Sequence, residues 1–452
     1  MASEAARFLA PRAWVGGGWA SEVLLTVGED GHWAGVRTDC PATEAQGAQR
    51  LPGPVLPGLV NGHSHAFQRA IAGLTERSPS GQDDFWSWRD RMYAAALRVS
   101  PEQVEAIAAH LYAELLREGY TQVCEFHYLH HDTDGRPYAE PAELALALAR
   151  AARRVGIGLT LLPTLYMRAG FGAEGLREDQ RRFASTPAFI AQVAARAAGE
   201  GGRVRAGVAI HSLRAVGEPA LTELLAAAPT GPVHIHIAEQ VREVEDARTF
   251  LGQRPIEWLL DHAPVDARWN LVHATHTTPA ELSGLRARGA AIVICPSTEA
   301  NLGDGVFDLP GWLGQSGRWS IGSDSHVTRS WTEELRLLEY SQRFALRERN
   351  VAARAALRES TASALFEGAL EGGSAAAGAP LAGLAVGQRA DFQVIDPEAP
   401  GLLGLPADHL LDGLVFSSAS AAPRAVYVAG RLVPEVETAS GFVAAMRSLW
   451  QG

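Results

Sequence analysis

The chain alternates between short apolar runs and longer segments whose apolar residues recur with helical periodicity. Eight of the runs lie between residues 55 and 324, and each has the length and nearly continuous apolar character of a strand buried on both faces. These runs are Val55–Asn61, Thr121–Tyr128, Gly158–Tyr166, Arg205–Ser212, Pro232–Ala238, Trp269–Ala274, Ala290–Pro296 and Trp319–Asp324. Strands of this kind are typical of parallel sheets, so the pattern predicts an α/β fold.

The segments between the runs are predicted to be helices. Ser100 suits an N-cap and Pro101 the first turn of a helix that continues to Glu118. The other predicted helices are Pro141–Val155, Pro187–Ala198, Pro219–Ala227, Pro255–His262, Pro279–Arg288 and Thr332–Arg349. Eight strand and helix units imply a closed (β/α)8 barrel of the TIM type, in which the functional residues follow the carboxyl ends of the strands.

Both ends of the chain differ from this pattern. Short strand-like patches occur there at Val23–Val27, Ala390–Asp396 and Ala425–Val433. We therefore predict a small β-sandwich built from residues 1–54 and 376–452, beside a barrel over residues 55–375. The Gly- and Ala-rich stretch Gly372–Gly378 is predicted to be the loop at the boundary.

Composition narrows the classes of function. A formal net charge of -11 over 452 residues argues against a general nucleic-acid binder. No apolar run approaches the ~20 residues of a membrane helix, and Met1–Arg7 is not followed by the apolar core of a signal peptide. Cys40, Cys124 and Cys295 are too sparse for a disulfide framework or a thiolate zinc site. We expect a cytoplasmic protein without nucleic-acid or membrane partners.

The absence of lysine limits the possible chemistry. All 40 basic residues are arginine, so a Schiff-base lysine and a phosphate-loop lysine are excluded. A carbamylated lysine that bridges two metal ions is excluded as well. A metal site in this chain should therefore hold a single ion.

Histidines at the ends of the apolar runs are the candidate metal ligands. His63 and His65 are two residues apart, so on a strand both imidazoles point to the same side. One such pair is common among packed or solvated residues, but His236, His273 and Asp324 also lie near the ends of runs. A barrel brings these ends together at one mouth, and the residue types predict a His/His/His/Asp metal set.

Four other histidines have competing interpretations. His234 points to the same side of its strand as the candidate ligand two residues later, which makes it a rival ligand, although we expect a packed barrel residue. His127, His130 and His131 form a second cluster. Strand alternation turns His127 away from the face of Tyr128, so we expect these three in loops and around the site instead of at the metal.

Several segments resemble the amidohydrolase superfamily, and in particular its mononuclear deaminase branch. These segments are Leu56–His65, His236–Glu239, Gly322–His326 and Gly387–Phe392. Within that branch, the chain resembles the formimidoylglutamate deiminases most closely. This likeness is carried by the segments Gly62–Ala70, Phe85–Arg89 and Glu125–Asp132. The resemblance covers nearly the whole chain, and it implies a hydrolase with one divalent metal per chain that forms a homodimer.

The resemblance also implies the roles of the residues near the metal. The implied metal ligands are His63, His65, His236 and Asp324. Their types suit Zn²⁺, while iron or manganese is an alternative, and such an ion lowers the pKa of a bound water towards ~7. Glu239 is then the expected proton carrier. Asp324 is expected to accept the proton of the water, and His273 to orient the nucleophile or stabilise the tetrahedral intermediate.

The implied substrate-binding residues are Gln68, Arg89, Tyr128, His211 and Arg214. Planar guanidinium groups bind carboxylates bidentately, so two arginines predict a small dicarboxylate substrate. The other interpretation of Arg89 is an ordinary helix surface. The expected reaction is hydrolysis of the C=N bond of N-formimino-L-glutamate to N-formyl-L-glutamate and ammonia, a step of histidine degradation.

Two other functions remain open at this stage. An aminohydrolase of a nucleobase or a triazine-like ring needs the same metal site but an aromatic, amide-lined pocket. A catalytically inactive barrel that serves as a structural protein would be expected to have lost ligands, whereas all of them are present in this sequence.

Overall fold

The computed structural model describes residues 6–77, 85–418 and 423–451. The first five residues of the segment Met1–Arg7, to which the expectation about a signal peptide refers, lie outside the described residues, as do the side chains of residues 85–87. In the described part of the chain, no helix is both long enough and apolar enough to cross a membrane.

Parallel strands form a closed barrel, as the sequence predicts. In chain order its eight strands are Leu59–Ser64, Tyr120–His127, Gly158–Leu165, Val208–Ile210, Val233–Ile237, Trp269–His273, Ala291–Ile294 and Arg318–Ile321. Each strand pairs with the next one in this order. A parallel bridge between Ser64 and Asp324 joins the first strand to the segment after the eighth. The carboxyl ends of all the strands therefore surround one mouth.

The first predicted run, Val55–Asn61, is divided between two sheets. Val55–Pro57 pairs with strands of the chain ends, and the barrel strand begins at Leu59. Gly58 lies at the transition, where a Cβ atom would be 2.4 Å from Cγ2 of Thr121. The close approach of the second barrel strand therefore requires glycine at this position.

The fourth predicted run, Arg205–Ser212, is interrupted at Gly207. It forms the short strands Val204–Ala206 and Val208–Ile210, which both pair with the third barrel strand. A Cβ atom at Gly207 would be 2.3 Å from the carbonyl oxygen of Pro232. The interruption thus allows close packing against the fifth strand.

Helices follow the barrel strands. Pro101–Arg117 begins after the predicted N-cap Ser100, whose hydroxyl accepts the N–H of Gln103 in a complete capping box. The remaining α-helices up to residue 377 are Phe85–Ala96, Glu143–Val155, Pro187–Ala198, Glu218–Ala227, Val241–Leu251, Pro255–His262, Pro279–Arg288, Pro296–Leu302, Leu309–Leu313, Trp331–Leu346, Val351–Ala355 and Thr361–Ala377. Short 3-10 helices span Ala66–Ala70 and Glu178–Phe183. The predicted helices are present, with ends shifted by up to three residues.

The prediction of a boundary loop at Gly372–Gly378 is wrong. Helix Thr361–Ala377 continues through this stretch and ends at Gly378, which has a left-handed φ of 58°. A Cβ atom at Gly372 would lie 1.7 Å from the carbonyl oxygen of Trp319. The glycines therefore allow the helix to approach the barrel strands closely, and this packing outweighs their low helix propensity.

The chain ends build a second sheet, as predicted. Its strands are Arg7–Val15, Gly18–Val27, Trp33–Arg37, Gln49–Arg50, Val55–Pro57, Phe392–Val394, Ala425–Val428 and Arg431–Leu432. Backbone hydrogen bonds join Trp33, from the N-terminal part of this sheet, to Gly387 and Gln388, which precede its C-terminal strands. Residues from both parts pack into a separate apolar core. After the 3-10 helix Ala407–His409 and helix Leu410–Phe416, the chain ends in helix Ala439–Gln451. There Phe442 stacks on His110 of helix Pro101–Arg117.

Candidate active site

Three imidazoles converge at the barrel mouth. His63 and His65 lie on and directly after the first strand, and His236 lies on the fifth. Nε2 of His63 is 3.1 Å from Nε2 of His65 and 3.0 Å from Nε2 of His236. All three side chains are buried. Nitrogen atoms this close together and shielded from solvent are the arrangement expected of ligands to one ion.

Backbone carbonyls fix the orientation of two of the rings. Nδ1 of His65 is 2.8 Å from the carbonyl oxygen of Phe126, and Nδ1 of His236 is 3.0 Å from that of His211. A carbonyl only accepts, so each Nδ1 carries the hydrogen and each Nε2 presents a lone pair to the centre. Burial lowers the pKa of His63 to about 3 and also lowers the pKa of His65 and His236. The three rings are therefore neutral, as metal ligands must be.

Asp324 adds a carboxylate to this group. Its Oδ1 lies 3.5 Å from Nε2 of His63 and 3.4 Å from Nε2 of His65. Although burial acts to raise its pKa, the hydrogen bond with His63 and the surrounding histidines hold the pKa of this carboxyl below its ordinary value. Asp324 has a left-handed φ of 46°, a strained conformation that turns the side chain into the mouth. Three neutral imidazoles and one carboxylate fit a divalent transition metal.

Glu239 and His273 lie beside the metal-binding group. Nε2 of His273 is 3.6 Å from Oε1 of Glu239 and 3.7 Å from Oδ2 of Asp324. Burial raises the pKa of Glu239 to about 7. Burial acts to lower the pKa of His273, but the charge of Glu239, with those of Asp324 and Glu299, raises it to about 10. The site thus pairs a carboxyl that titrates near neutrality with an imidazolium.

Two carboxyl groups of the site were missed in the sequence. Oε1 of Glu299 is 3.2 Å from Nδ1 of His273 and accepts the N–H of Cys295, so it orients the imidazole. Asp304, within 4.8 Å of the ligand atoms of Glu239 and His273, is held by the amide of Gln240. Both residues follow the seventh strand, which, like the third, was given no site residue although the strands on either side of it were. Their position after a predicted barrel strand was the signal in the sequence that could have identified them.

The five predicted substrate-binding residues line one pocket beside the metal-binding group. Gln68 donates from Nε2 to the hydroxyl of Tyr128 at 2.9 Å. Nη2 of Arg214 is 3.8 Å from Oε2 of Glu239, which connects the pocket to the proposed proton carrier. Arg89 lines the same pocket from helix Phe85–Ala96, together with His211 from the end of the fourth strand. The pocket therefore combines two guanidinium groups with the metal site.

Other lining residues were not anticipated. Tyr93, on the same helix as Arg89, and Tyr166, after the third strand, both face the pocket. Tyr166 ended a predicted strand in the same way as Tyr128, so strand position was again a usable signal.

His234, His130 and His131 do not bind at the converging Nε2 atoms. Nε2 of His234 is 2.9 Å from the carbonyl oxygen of Ala376, at the opposite end of the barrel, where it is a packed residue as expected. His130 and His131 contact the carbonyl oxygens of Thr164 and Ala184. Within the described residues, none of these three belongs to a group that could hold a metal ion.

A closed parallel barrel with a histidine and aspartate group at its mouth defines a metal-dependent hydrolase class, and comparison with known proteins agrees. The sequence model of the amidohydrolase family matches residues 55–433. This chain belongs to the amidohydrolase family.

Particular relatives narrow the class. The chain is 49% identical to the formimidoylglutamate deiminase of Pseudomonas aeruginosa over 94% of this chain and 93% of that protein. It is 27% identical to a 5-methylthioadenosine/S-adenosylhomocysteine deaminase of Halobacterium salinarum, over 77% of this chain and 74% of that protein. A crystal structure of an amidohydrolase from Brucella melitensis superposes with a TM-score of 0.91 at 42% identity, covering 98% of this chain and 99% of that one.

Proposed function

We propose that this protein hydrolyses the C=N bond of N-formimino-L-glutamate to give N-formyl-L-glutamate and ammonia. The similarity to the Pseudomonas aeruginosa deiminase over nearly the full length of both chains supports this reaction. The observation that carries it is the presence of two arginines, Arg89 and Arg214, in the pocket beside the metal-binding group. A substrate with two carboxylates and a reactive C=N carbon matches both halves of this pocket.

We propose Zn²⁺ as the ion, held by His63, His65, His236 and Asp324. When bound, a divalent zinc ion supplies a nucleophilic water at neutral pH and polarises the group under attack. Support comes from the neutral imidazoles, of which those of His65 and His236 have Nδ1 bonded to a backbone carbonyl, and from the ionised carboxylate. The absence of lysine supports one ion per chain.

Glu239 is the proposed proton carrier. Its pKa near 7 allows it to accept a proton from the attacking water and to return one to the leaving nitrogen. As the oxygen of water bonds to the formimino carbon, Glu239 passes the first proton of the water to the formimino nitrogen. The remaining hydroxyl proton then moves by way of Asp324 to the same nitrogen, so that the bond from carbon to nitrogen breaks while the C=O bond forms, and ammonia leaves. His273, kept cationic by Glu239 and Glu299, stabilises negative charge that develops at the tetrahedral carbon.

The remaining pocket residues hold the glutamate part of the substrate. Arg89 and Arg214 pair with the two carboxylates, and Gln68, Tyr128 and His211 complete the polar lining next to the reacting group. Because Arg214 also lies near Glu239, a bound carboxylate there would fix the distance between the substrate and the proton carrier.

The reaction can be tested directly by ammonia release. The purified protein should release ammonia from N-formimino-L-glutamate and give little or none with guanine, cytosine or adenosine under the same conditions. Release from a ring substrate with none from N-formimino-L-glutamate would instead favour the ring aminohydrolase, the activity class of the more distant 27% relative. Release of ammonia from none of these compounds would favour the third function, a catalytically inactive barrel that serves as a structural protein.

Replacement of Arg214 by methionine should weaken the recognition of the dicarboxylate. Loss of a charge-assisted hydrogen bond is expected to lower kcat/KM for N-formimino-L-glutamate at least ~10-fold, since ~1.4 kcal/mol corresponds to one decade. The measurement compares the variant and wild type on this substrate and on analogues that lack one carboxylate. Arg117→Met, on an exposed helix surface, is the matched control. Equal losses on all substrates for both Arg89→Met and Arg214→Met would contradict a dicarboxylate pocket.

A further inference from the structure

A buried glutamine connects two tyrosines of the substrate pocket. Nε2 of Gln180 lies 3.1 Å from the hydroxyl of Tyr93 and 3.0 Å from that of Tyr166. Gln180 itself is fully buried in the 3-10 helix Glu178–Phe183 and does not line the pocket. The two phenol groups therefore separate the glutamine from the cavity.

The direction of these hydrogen bonds follows from the other end of the amide. Oε1 of Gln180 accepts the backbone N–H of Arg177 at 3.0 Å. A backbone N–H can only donate, so the oxygen of the amide must face Arg177 and the NH₂ group must face the tyrosines. Its two hydrogens are then donated to the two phenol oxygens, which both act as acceptors.

A phenol oxygen that accepts from the glutamine has its own hydrogen available to donate. The two hydroxyls are 3.4 Å apart, so one can donate weakly to the other. Even then, the O–H of the second tyrosine is available to the cavity that both residues line. The pKa of Tyr166 is raised well above its ordinary value because burial penalises the phenolate, so this hydroxyl retains its hydrogen.

The surrounding charges identify the chemical group that would accept these hydrogens. The guanidinium group of Arg89 lies 5.5 Å from the centre of the Tyr93 ring, and Arg214 lines the same cavity. An anion that pairs with a guanidinium at this end of the pocket is therefore within reach of the phenol groups.

We infer that Tyr93 and Tyr166 bind one carboxylate of the substrate by donating their phenolic hydrogens, and that Gln180 is the positioning residue that directs these hydrogens into the pocket. This inference rests on the proposed dicarboxylate substrate. It adds two neutral donors to the arginines, which makes that end of the pocket specific for an acceptor with several lone pairs, such as a carboxylate.

Phenylalanine substitutions test the inference. Tyr93→Phe and Tyr166→Phe remove one oxygen each and preserve the ring packing. The double variant should raise KM for N-formimino-L-glutamate at least ~10-fold and change kcat by less than ~3-fold, because the lost interaction is with an unreacting group. N-formimino-4-aminobutyrate and N-formimino-norvaline each lack one of the two carboxylates. The double variant should raise KM only for the analogue that keeps the carboxylate bound by the tyrosines. Tyr427→Phe, in the terminal sheet, is the control.

Binding of the product gives a readout that is independent of turnover. Calorimetry should show at least ~10-fold weaker binding of N-formyl-L-glutamate to the double variant than to wild type. Wild-type protein that releases no ammonia from N-formimino-L-glutamate would contradict the proposed function. Active wild type together with unchanged KM and product affinity in the double variant would contradict this inference alone.

The role of Gln180 is tested by reversing its polarity. Gln180→Glu keeps the shape but offers the tyrosines a carboxylate oxygen, so their hydrogens should turn away from the cavity. We expect KM to rise about as much as in the double phenylalanine variant, and to rise no further when both changes are combined. If Gln180→Glu raises KM by the same factor in the double phenylalanine variant as in wild type, Gln180 does not act through the phenol groups.

Discussion

Glu239→Gln is expected to bind its metal normally and to lose at least ~10²-fold in kcat on N-formimino-L-glutamate, the usual scale for removal of an acid–base group. The amide is nearly isosteric with the carboxyl group but cannot take up and return a proton. Glu239 is close to His273 and Arg214, and it is not part of the converging Nε2 group. Steady-state kinetics and metal analysis on the same sample provide the measurement.

Glu334→Gln is the matched control for this experiment. Glu334 is also fully buried, and burial raises its pKa to about 8, but its carboxyl bonds to Ser297 and does not line the pocket. Its substitution should leave kcat within ~3-fold of wild type, since it removes no group that exchanges protons with substrate. Loss of the metal in Glu239→Gln, or near-normal turnover, would exclude Glu239 as the proton carrier.

Removal of a metal ligand should have the other large effect. Wild type is expected to contain one tightly bound ion per chain, and His236→Ala should weaken metal binding by more than the 10–100-fold that is typical of changes around the ligands. Activity should fall with metal content, because the nucleophile depends on the ion. Elemental analysis after dialysis, together with ammonia release, gives both quantities.

His234→Gln serves as the control because His234 lies on the same strand and binds a carbonyl at the other end of the barrel. An amide side chain can still donate to Ala376, so metal content and activity should remain near wild type. A tightly held second ion that activity requires, or equal loss of metal in His234→Gln and His236→Ala, would contradict the ligand set.

Most of the fold was predictable because the barrel strands are apolar on both faces. Runs such as Trp269–Ala274 have few other possible structures, and they are bounded by clear helix starts such as Thr278 and Pro279. The prediction failed at Gly372–Gly378, where local propensity favours a loop but close contact with the barrel strands requires glycine in a helix. That contact joins residues distant in sequence, so composition could not reveal it.

The candidate site was predictable where its residues end strands. His63, His65, His236 and Asp324 follow this rule, and the structure brings them together. Gln180 does not, because it acts from a 3-10 helix and its contacts depend on how a connecting segment folds over the barrel mouth. No local pattern distinguishes such a residue from an ordinary polar residue in a loop.

The terminal sheet has a consequence for how the chain folds. Gln393 donates to the carbonyl oxygen of Pro57, and these residues are 336 positions apart. During synthesis, Val55–Pro57 must remain with an unpaired edge until Phe392–Val394 has left the ribosome, and such edges promote association between chains. We therefore expect a late folding step whose yield falls as protein concentration rises, which refolding from denaturant at several concentrations would measure. A chain that ends before residue 392 would keep this edge permanently open.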